Sequence, residues 1–70
     1  MFRVQVSSTN LLSVGYDAVS RVLEIEFRKG ALYAYQDVPE SAHAGLMGAA
    51  SKGGYFDDFI KPRYRFQRLR

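Results

Sequence analysis

Residues 22–36 read Val-Leu-Glu-Ile-Glu-Phe-Arg-Lys-Gly-Ala-Leu-Tyr-Ala-Tyr-Gln, and this stretch decides the fold. In its first half apolar and acidic side chains alternate, with Leu23, Ile25 and Phe27 on one side and Glu24 and Glu26 on the other. A period of two with one apolar face is typical of an antiparallel strand that packs on a core. Lys29-Gly30 then favours a tight turn, because glycine accepts a positive φ, so Ala31 to Gln36 is predicted to return as the hairpin partner.

The length of this turn decides where Tyr33 and Tyr35 point. A two-residue loop, Lys29-Gly30, puts both rings opposite the glutamates, on a polar face suited to stacking on bases. A three-residue loop, Arg28-Lys29-Gly30, shifts the pairing by one and turns both rings into the core. The inward arrangement is favoured, because two aromatic rings carry much of the apolar area of so short a chain. Glutamates beside a stacking face would also repel phosphate.

Two strands are predicted before the hairpin. Phe2 to Val6 alternates apolar and polar residues, which indicates a short strand or an extended arm, and Ser7 to Asn10 is a turn cluster. The next strand is predicted to end at Asp17. Along it one alternating set of side chains is Leu12, Val14 and Tyr16, and the other is Leu11, Ser13 and Gly15.

The second half of the chain changes to helical spacing. Pro39-Glu40 suits the first turn of a helix, where the missing proline N–H costs nothing and a carboxylate faces the positive end of the dipole. Gly45 and Gly48 each weaken that helix by up to about 1 kcal/mol unless close packing requires them. Ser51 is a good N-cap for a second helix, which Pro62 ends. The predicted apolar face of that helix is Tyr55, Phe56, Phe59 and Ile60.

These elements predict an α+β domain over residues 1–70. Its sheet is an antiparallel meander of three or four strands followed by two short helices, and residues 61–70 form a basic C-terminal strand or arm. The 70 residues include no cysteine, which excludes disulfides and Cys-ligated zinc. No signal peptide and no apolar run of about 18 residues is visible, so a cytoplasmic protein without membrane contact is expected.

Basic residues concentrate in the last ten positions. The formal net charge is +3, but residues 1–60 hold five basic and seven acidic residues, a net −2. Residues 61–70 hold no acid and carry +5. Such an asymmetry points to contact with a polyanion at one part of the surface, whereas its ordinary alternative is a solvated basic face. The five cations are Lys61, Arg63, Arg65, Arg68 and Arg70.

Six short segments, in this order and spacing, resemble the KTSC domain family. They are Val6-Ser7-Ser8, Val14-Gly15-Tyr16-Asp17, Leu23 to Phe27 before Gly30, Tyr33-Ala34-Tyr35, Asp37-Val38-Pro39 and Ser51-Lys52-Gly53-Gly54-Tyr55-Phe56. The resemblance covers Val6 to Tyr64, and the central Tyr-X-Tyr is the family's hallmark. The family is named for the C-terminus of some lysyl-tRNA synthetases and also occurs as small free-standing bacterial proteins. The resemblance therefore implies RNA as a partner, and it implies no catalytic residue.

The candidate nucleic-acid site combines the basic run with aromatic rings. Charge that neutralises phosphate and rings that stack on bases occur together in proteins that bind single strands. Alternation puts Arg63 and Arg65 on one side of the run and Tyr64 and Phe66 on the other, so the rings can also pack inward. The predicted site residues are Lys61, Arg63, Tyr64, Arg65, Arg68, Arg70, Tyr33 and Tyr35.

A second, weaker candidate is an anion site at Ser51-Lys52-Gly53-Gly54. Backbone N–H groups of such a segment can cradle an anion. The segment lacks the spacing of a phosphate-binding P-loop, and its main interpretation is an N-cap with a flexible lead-in.

No catalytic, cofactor or metal site is predicted. His43 is the one histidine and belongs to a helix beside alanines, while Asp57-Asp58 and the two strand glutamates suggest solvated surfaces. The sequence thus predicts a small non-catalytic domain that binds nucleic acid, RNA (including tRNA) before DNA. The alternative prediction is a protein–protein interaction module, or a homodimer, without affinity for nucleic acid.

Overall fold

The computed structural model describes all 70 residues and shows five antiparallel strands in the order β1-β2-β3-β4-β5, each paired with the next. The α+β prediction is confirmed, and both segments that the sequence left open as strands or arms are strands. The elements are β1 (Arg3–Gln5), β2 (Leu11–Asp17), β3 (Val22–Phe27), β4 (Leu32–Tyr35), α1 (Glu40–Gly48), α2 (Lys52–Tyr55), a π-helical turn (Phe56–Ile60) and β5 (Phe66–Arg68).

The β3–β4 hairpin has the three-residue loop. The Phe27 N–H donates to the Ala31 carbonyl at 2.8 Å, and the Gly30 N–H donates to the Phe27 carbonyl at 2.9 Å. Gly30 has φ +104°, the left-handed region that favours glycine. The resulting register sets Tyr33 opposite Ile25 and Tyr35 opposite Leu23. Both tyrosines therefore lie on the apolar face of the sheet, and the glutamates lie on the other.

A bulge in β2 changes which leucine enters the core. The register against β3 shifts between Leu11 and Ser13, so Leu12 has no partner of its own. Leu11 lies opposite Phe27 and is fully buried together with Val14, whereas Leu12 is half-buried. Simple alternation, which groups Leu12 with Val14, is wrong at this position because one extra residue reverses the side that a strand presents.

The second helix begins as predicted and then widens. The Ser51 hydroxyl accepts the Gly54 N–H at 3.1 Å, which confirms the N-cap. From Phe56 onward the helix becomes a π-turn, in which the Lys61 N–H donates to the Phe56 carbonyl at 2.9 Å. This wider turn buries Phe56 and Ile60 and packs Tyr55 against the core, but it leaves Phe59 exposed. The predicted apolar face is therefore correct for three residues and wrong for Phe59.

The helices cover one face of the sheet and close the core there. The fully buried apolar cluster consists of Leu11, Val14, Leu23, Ile25, Tyr35, Val38, Leu46, Phe56 and Ile60. None of the helices is long and apolar enough to cross a membrane.

Charged side chains pair across the opposite, uncovered face. Arg3 donates to Glu24 at 2.9 Å, and Arg70 donates to Glu26 at 2.6 Å. The Ser13 hydroxyl also donates to Glu26, at 2.7 Å, and this bond followed by the one from Arg70 lowers the pKa of that carboxyl. Arg3 of β1 thus neutralises Glu24, and Arg70 neutralises Glu26, which also accepts a hydrogen bond from Ser13 of β2.

Candidate nucleic-acid interface

From Arg65 onward the basic segment is held against β4 and Gln36 rather than left free. The Gln36 N–H donates to the Arg65 carbonyl at 2.8 Å, and the Leu69 N–H donates to the Leu32 carbonyl at 2.7 Å. Between these two bonds β5 pairs with β4. The segment therefore presents its side chains in a fixed pattern at one edge of the sheet.

Tyr33 and Tyr35 differ in what they offer a ligand. Tyr35 is 1% exposed, and its burial, followed by the nearby Tyr33, raises its pKa to about 12. Its ring packs on Phe56 and has no free face for a base. Tyr33 is half-buried and lies closer to the surface. The prediction that both rings point inward fits Tyr35 fully and Tyr33 in part.

The aromatic platform at this edge consists of Tyr33 and Phe66. Their rings stack in parallel, with centroids 5.1 Å apart and an angle of 4° between planes. Phe66 is 56% exposed, so this stack reaches solvent. The Arg68 guanidinium lies 5.8 Å from the centre of the Tyr33 ring, within the range of a cation–π contact. The molecule thus presents a pre-stacked aromatic surface beside a cation.

Sequence reasoning chose Tyr64 rather than Phe66 for this role. Tyr64 is half-buried and packs against the core, whereas Phe66, the first residue of β5, is exposed. Alternation correctly put both rings on one side of the segment. It could not show that the helices cover that side at Tyr64 and leave it open at Phe66.

The five cations of the basic segment have different environments. Arg70 is engaged by Glu26 and by the Gly30 carbonyl, to which it donates at 3.0 Å. Arg65 lies 3.5 Å from Asp37, but both side chains are exposed, and such a pair is weak. Arg63 lies over the ring of Phe59 and forms no salt bridge, and Lys61 and Arg68 also lack carboxylate partners. Four of the five predicted cations therefore retain charge for a ligand.

A groove of about 310 Å³ opens beside Tyr33 between β4 and the π-turn. We call it the Tyr33 groove. Four aromatic rings lie among its lining residues, two of them the buried rings of Tyr35 and Phe56. Its charged side chains are two lysines and one carboxylate. The complete lining is Asn10, Phe27, Lys29, Ala31, Tyr33, Tyr35, Phe56, Asp57 and Lys61. A partly exposed tyrosine ring beside cationic side chains is a combination found in proteins that bind single-stranded nucleic acid.

The predicted anion segment lies in a second, larger cleft of about 610 Å³. Ser51, Lys52, Gly53 and Gly54 form one side of it, and the turn at residues 7–10 together with Arg28 forms the other. We call it the polar cleft. The fold therefore places a second cation, Arg28, and the hydroxyls of residues 7–10 close to the Ser51–Gly54 segment, although they are distant from it in the sequence.

The residues considered for catalysis do not assemble. The His43 ring stacks on Tyr16 with centroids 4.6 Å apart, and burial lowers its pKa. Asp57 and Asp58 are exposed. No three His, Asp or Glu side chains come together in a group that could hold a metal ion.

Comparisons with known proteins extend over nearly the whole chain. The family model of the KTSC domain matches residues 7–64. An uncharacterised protein of Stutzerimonas stutzeri is 43% identical over 70 residues, 99% of each chain. The crystal structure of a KTSC domain protein from Yersinia pestis has a TM-score of 0.94 and 46% identity, covering 99% of this chain and 97% of that one. A lysine–tRNA ligase of Nostoc punctiforme is 41% identical over 54 residues, which are 77% of this chain and 10% of the ligase.

Proposed function

The chain belongs to the KTSC domain family, and we propose that it is a non-catalytic domain that binds single-stranded nucleic acid, RNA before DNA. The observation that carries the proposal is the exposed Phe66 ring stacked on Tyr33. Stacking between a base and an aromatic side chain contributes about 1–3 kcal/mol and tolerates any base. The second face of Phe66 is suited to such a contact.

Charge around the platform supports the same ligand. Lys61, Arg63 and Arg68 form no salt bridge within the chain, and Arg65 forms only a solvent-exposed one. Arg68 donates its Nε–H to the main-chain oxygen of Arg70 at 3.0 Å, a contact that leaves its charge unneutralised by a side chain. The acidic side chains of β3 lie on the opposite face of the sheet, where Arg3 and Arg70 neutralise them. The repulsion expected from glutamates beside a stacking face is therefore absent from the Phe66 side.

The choice of RNA rests on the similarity to part of a lysine–tRNA ligase, a protein whose name specifies tRNA. Four phosphate contacts imply a salt dependence with a slope of about −3, since each contact to a single strand contributes about −0.7. Binding of this type is expected at low salt and weakens steeply as salt is raised.

Fluorescence anisotropy with a labelled single-stranded RNA, at two salt concentrations, tests the proposal. Phe66→Ala should weaken binding about fivefold to 150-fold, the equivalent of one lost stacking contact. Val19→Ala is the matched control, because Val19 is an exposed apolar residue in the β2–β3 turn and should leave affinity unchanged. No binding at low salt, or equal binding by Phe66→Ala and the wild type, refutes the proposal.

The other edge of the sheet favours a second candidate function, self-association. Phe2 is 86% exposed and Val4, on the free edge strand β1, is 49% exposed. An apolar, unpaired edge is a template for pairing with another strand. Sedimentation velocity separates the two candidates: a tight dimer without RNA affinity supports association, and a monomer that binds RNA supports the platform.

A further inference from the structure

The polar cleft is the largest concavity of the molecule and takes no part in the proposed platform. Ala50 is the one apolar residue in its lining. Its cations are Arg28 and Lys52, and its one carboxylate is Asp57. A cleft with polar walls and a local excess of positive charge is suited to an anion rather than to an apolar ligand.

Arg28 is an exposed residue whose side chain is anchored by one hydrogen bond and retains free donors. Its Nε donates to the Ser8 carbonyl at 2.7 Å, and its backbone N–H donates to the Asn10 carbonyl at 2.9 Å. No other hydrogen bond or salt bridge engages the guanidinium, so its terminal nitrogens are unpartnered. A planar guanidinium held in this way can donate two parallel hydrogen bonds to phosphate oxygens.

Lys52 supplies the second charge from the facing wall. Its Nζ donates to the Ala49 carbonyl at 3.3 Å and has no carboxylate partner. Between the walls, a Cβ on Gly53 would lie 3.8 Å from the Ser8 Oγ. This is an ordinary van der Waals distance, so the two walls approach each other closely at Gly53.

Two serine hydroxyls add neutral donors. The Ser8 Oγ accepts the N–H groups of Asn10 and Leu11, each at 3.2 Å, and the Ser51 Oγ accepts that of Gly54. A hydroxyl that accepts hydrogen bonds still has its own proton to donate. Both serines can therefore donate to an oxygen anion between the walls.

We propose that the polar cleft binds a phosphate group, with Arg28 and Lys52 neutralising its charge and Ser8 and Ser51 donating to its oxygens. The group can belong to a free phosphate ester or to the 5′ end of a nucleic-acid strand, which present the same chemistry. The proposal does not rest on RNA binding by Phe66, because the two sites use different cations.

Titration of the ¹⁵N-labelled protein with inorganic phosphate, at an ionic strength held constant with sodium chloride, tests this site by NMR. Saturable shifts are expected for the amides of residues 7–10 and 51–54. Arg28→Gln or Lys52→Gln should weaken binding about tenfold, as expected for a lost charged hydrogen bond. Asp57→Asn should instead tighten it about threefold, because a like charge at the cleft is removed.

Lys29→Gln is the matched control, since Lys29 follows Arg28 in the chain but lines the Tyr33 groove rather than the cleft. The proposal is overturned if chloride alone reproduces the chemical-shift changes, or if Lys29→Gln and Arg28→Gln reduce these changes equally. Arg28→Lys keeps the charge and therefore separates loss of binding from a folding defect. A well-dispersed spectrum with intermediate phosphate affinity in Arg28→Lys supports the site. Phosphate affinity that is unchanged in Arg28→Gln refutes it.

Two oligonucleotides identify the source of the phosphate. If the 5′ end of a strand is the ligand, a 5′-phosphorylated oligonucleotide binds more tightly than its 5′-hydroxyl counterpart, and Arg28→Gln removes the difference. If a free ester is the ligand, inorganic phosphate binds but the two oligonucleotides bind equally. Absence of any saturable phosphate binding refutes the site for both sources.

Discussion

Gly45→Ala should destabilise the protein although alanine is the better helix former. A Cβ at Gly45 would lie 2.6 Å from Cζ and 3.1 Å from Cε2 of Tyr55, and closer still to its hydroxyl oxygen. Tyr55 must then leave its place between α1 and Phe59, whose ring centre is 4.8 Å away. Overpacking of this kind costs about 1–3 kcal/mol, and the gain in propensity is up to about 1 kcal/mol. We expect a net loss of about 1 kcal/mol, or roughly 4–8 °C in Tm.

Gly48 provides the matched comparison. It belongs to the same helix, and a Cβ there would meet nothing within 4 Å. Gly48→Ala should therefore stabilise by several tenths of a kcal/mol. Urea unfolding followed by circular dichroism measures both variants. In a Tyr55→Ala background the clash is absent, so Gly45→Ala should become stabilising. If Gly45→Ala stabilises the wild type as much as Gly48→Ala does, Tyr55 does not restrict residue 45.

Three further predictions concern turn geometry and pH. Gly30→Ala should cost about 1 kcal/mol in urea unfolding, because φ of +104° is strained for a residue with a Cβ; no loss would contradict the turn. The lowered pKa of His43 means that the unfolded chain takes up the proton first, so stability should fall as pH drops through about 6.5. His43→Phe, which keeps a ring against Tyr16, should abolish that fall, and an unchanged pH profile would refute the assignment. Because the pKa of Glu26 is lowered in the folded protein, its ionised carboxylate stabilises the fold at pH values above the ordinary carboxyl pKa. This stabilisation is lost as the pH falls through the lowered pKa of Glu26. Arg70→Gln should raise that pKa in an NMR titration, and no change would show that the pair is absent in solution.

The hairpin and the fold class could be predicted because they depend on local patterns. Alternation over residues 22–27 identified β3 and its buried face, and Ser51 identified the start of α2. The pairing register of the β3–β4 hairpin could not be chosen from local sequence, because Arg28-Lys29-Gly30 is compatible with either a two-residue or a three-residue loop. The bulge at Leu12 and the π-turn at Phe56 are set by packing against other elements, and no local pattern marked either of them.

The sequence identified many residues of the candidate sites but not how the fold brings them together. The basic segment was visible in the charge, yet the partner of Arg70 is Glu26, 44 residues away in the chain. The exposure of Phe66 depends on how far the helices extend over β5. The polar cleft brings the turn at residues 7–10 against residues 51–54, and a contact across such a separation leaves no periodic signal in the sequence.

The most direct test of the platform compares Arg68→Gln with Arg70→Gln in RNA binding. Both remove one positive charge, and the residues are two positions apart, but Arg68 lies over Tyr33 and Arg70 pairs with Glu26. At 0.1 M salt the loss of one phosphate contact should weaken binding about fivefold and reduce the salt slope by about 0.7. Arg68→Gln should show this loss, whereas Arg70→Gln, whose charge is already paired, should change affinity by less than about twofold. Equal losses in the two variants, or none in either, would show that the platform does not bind RNA as proposed.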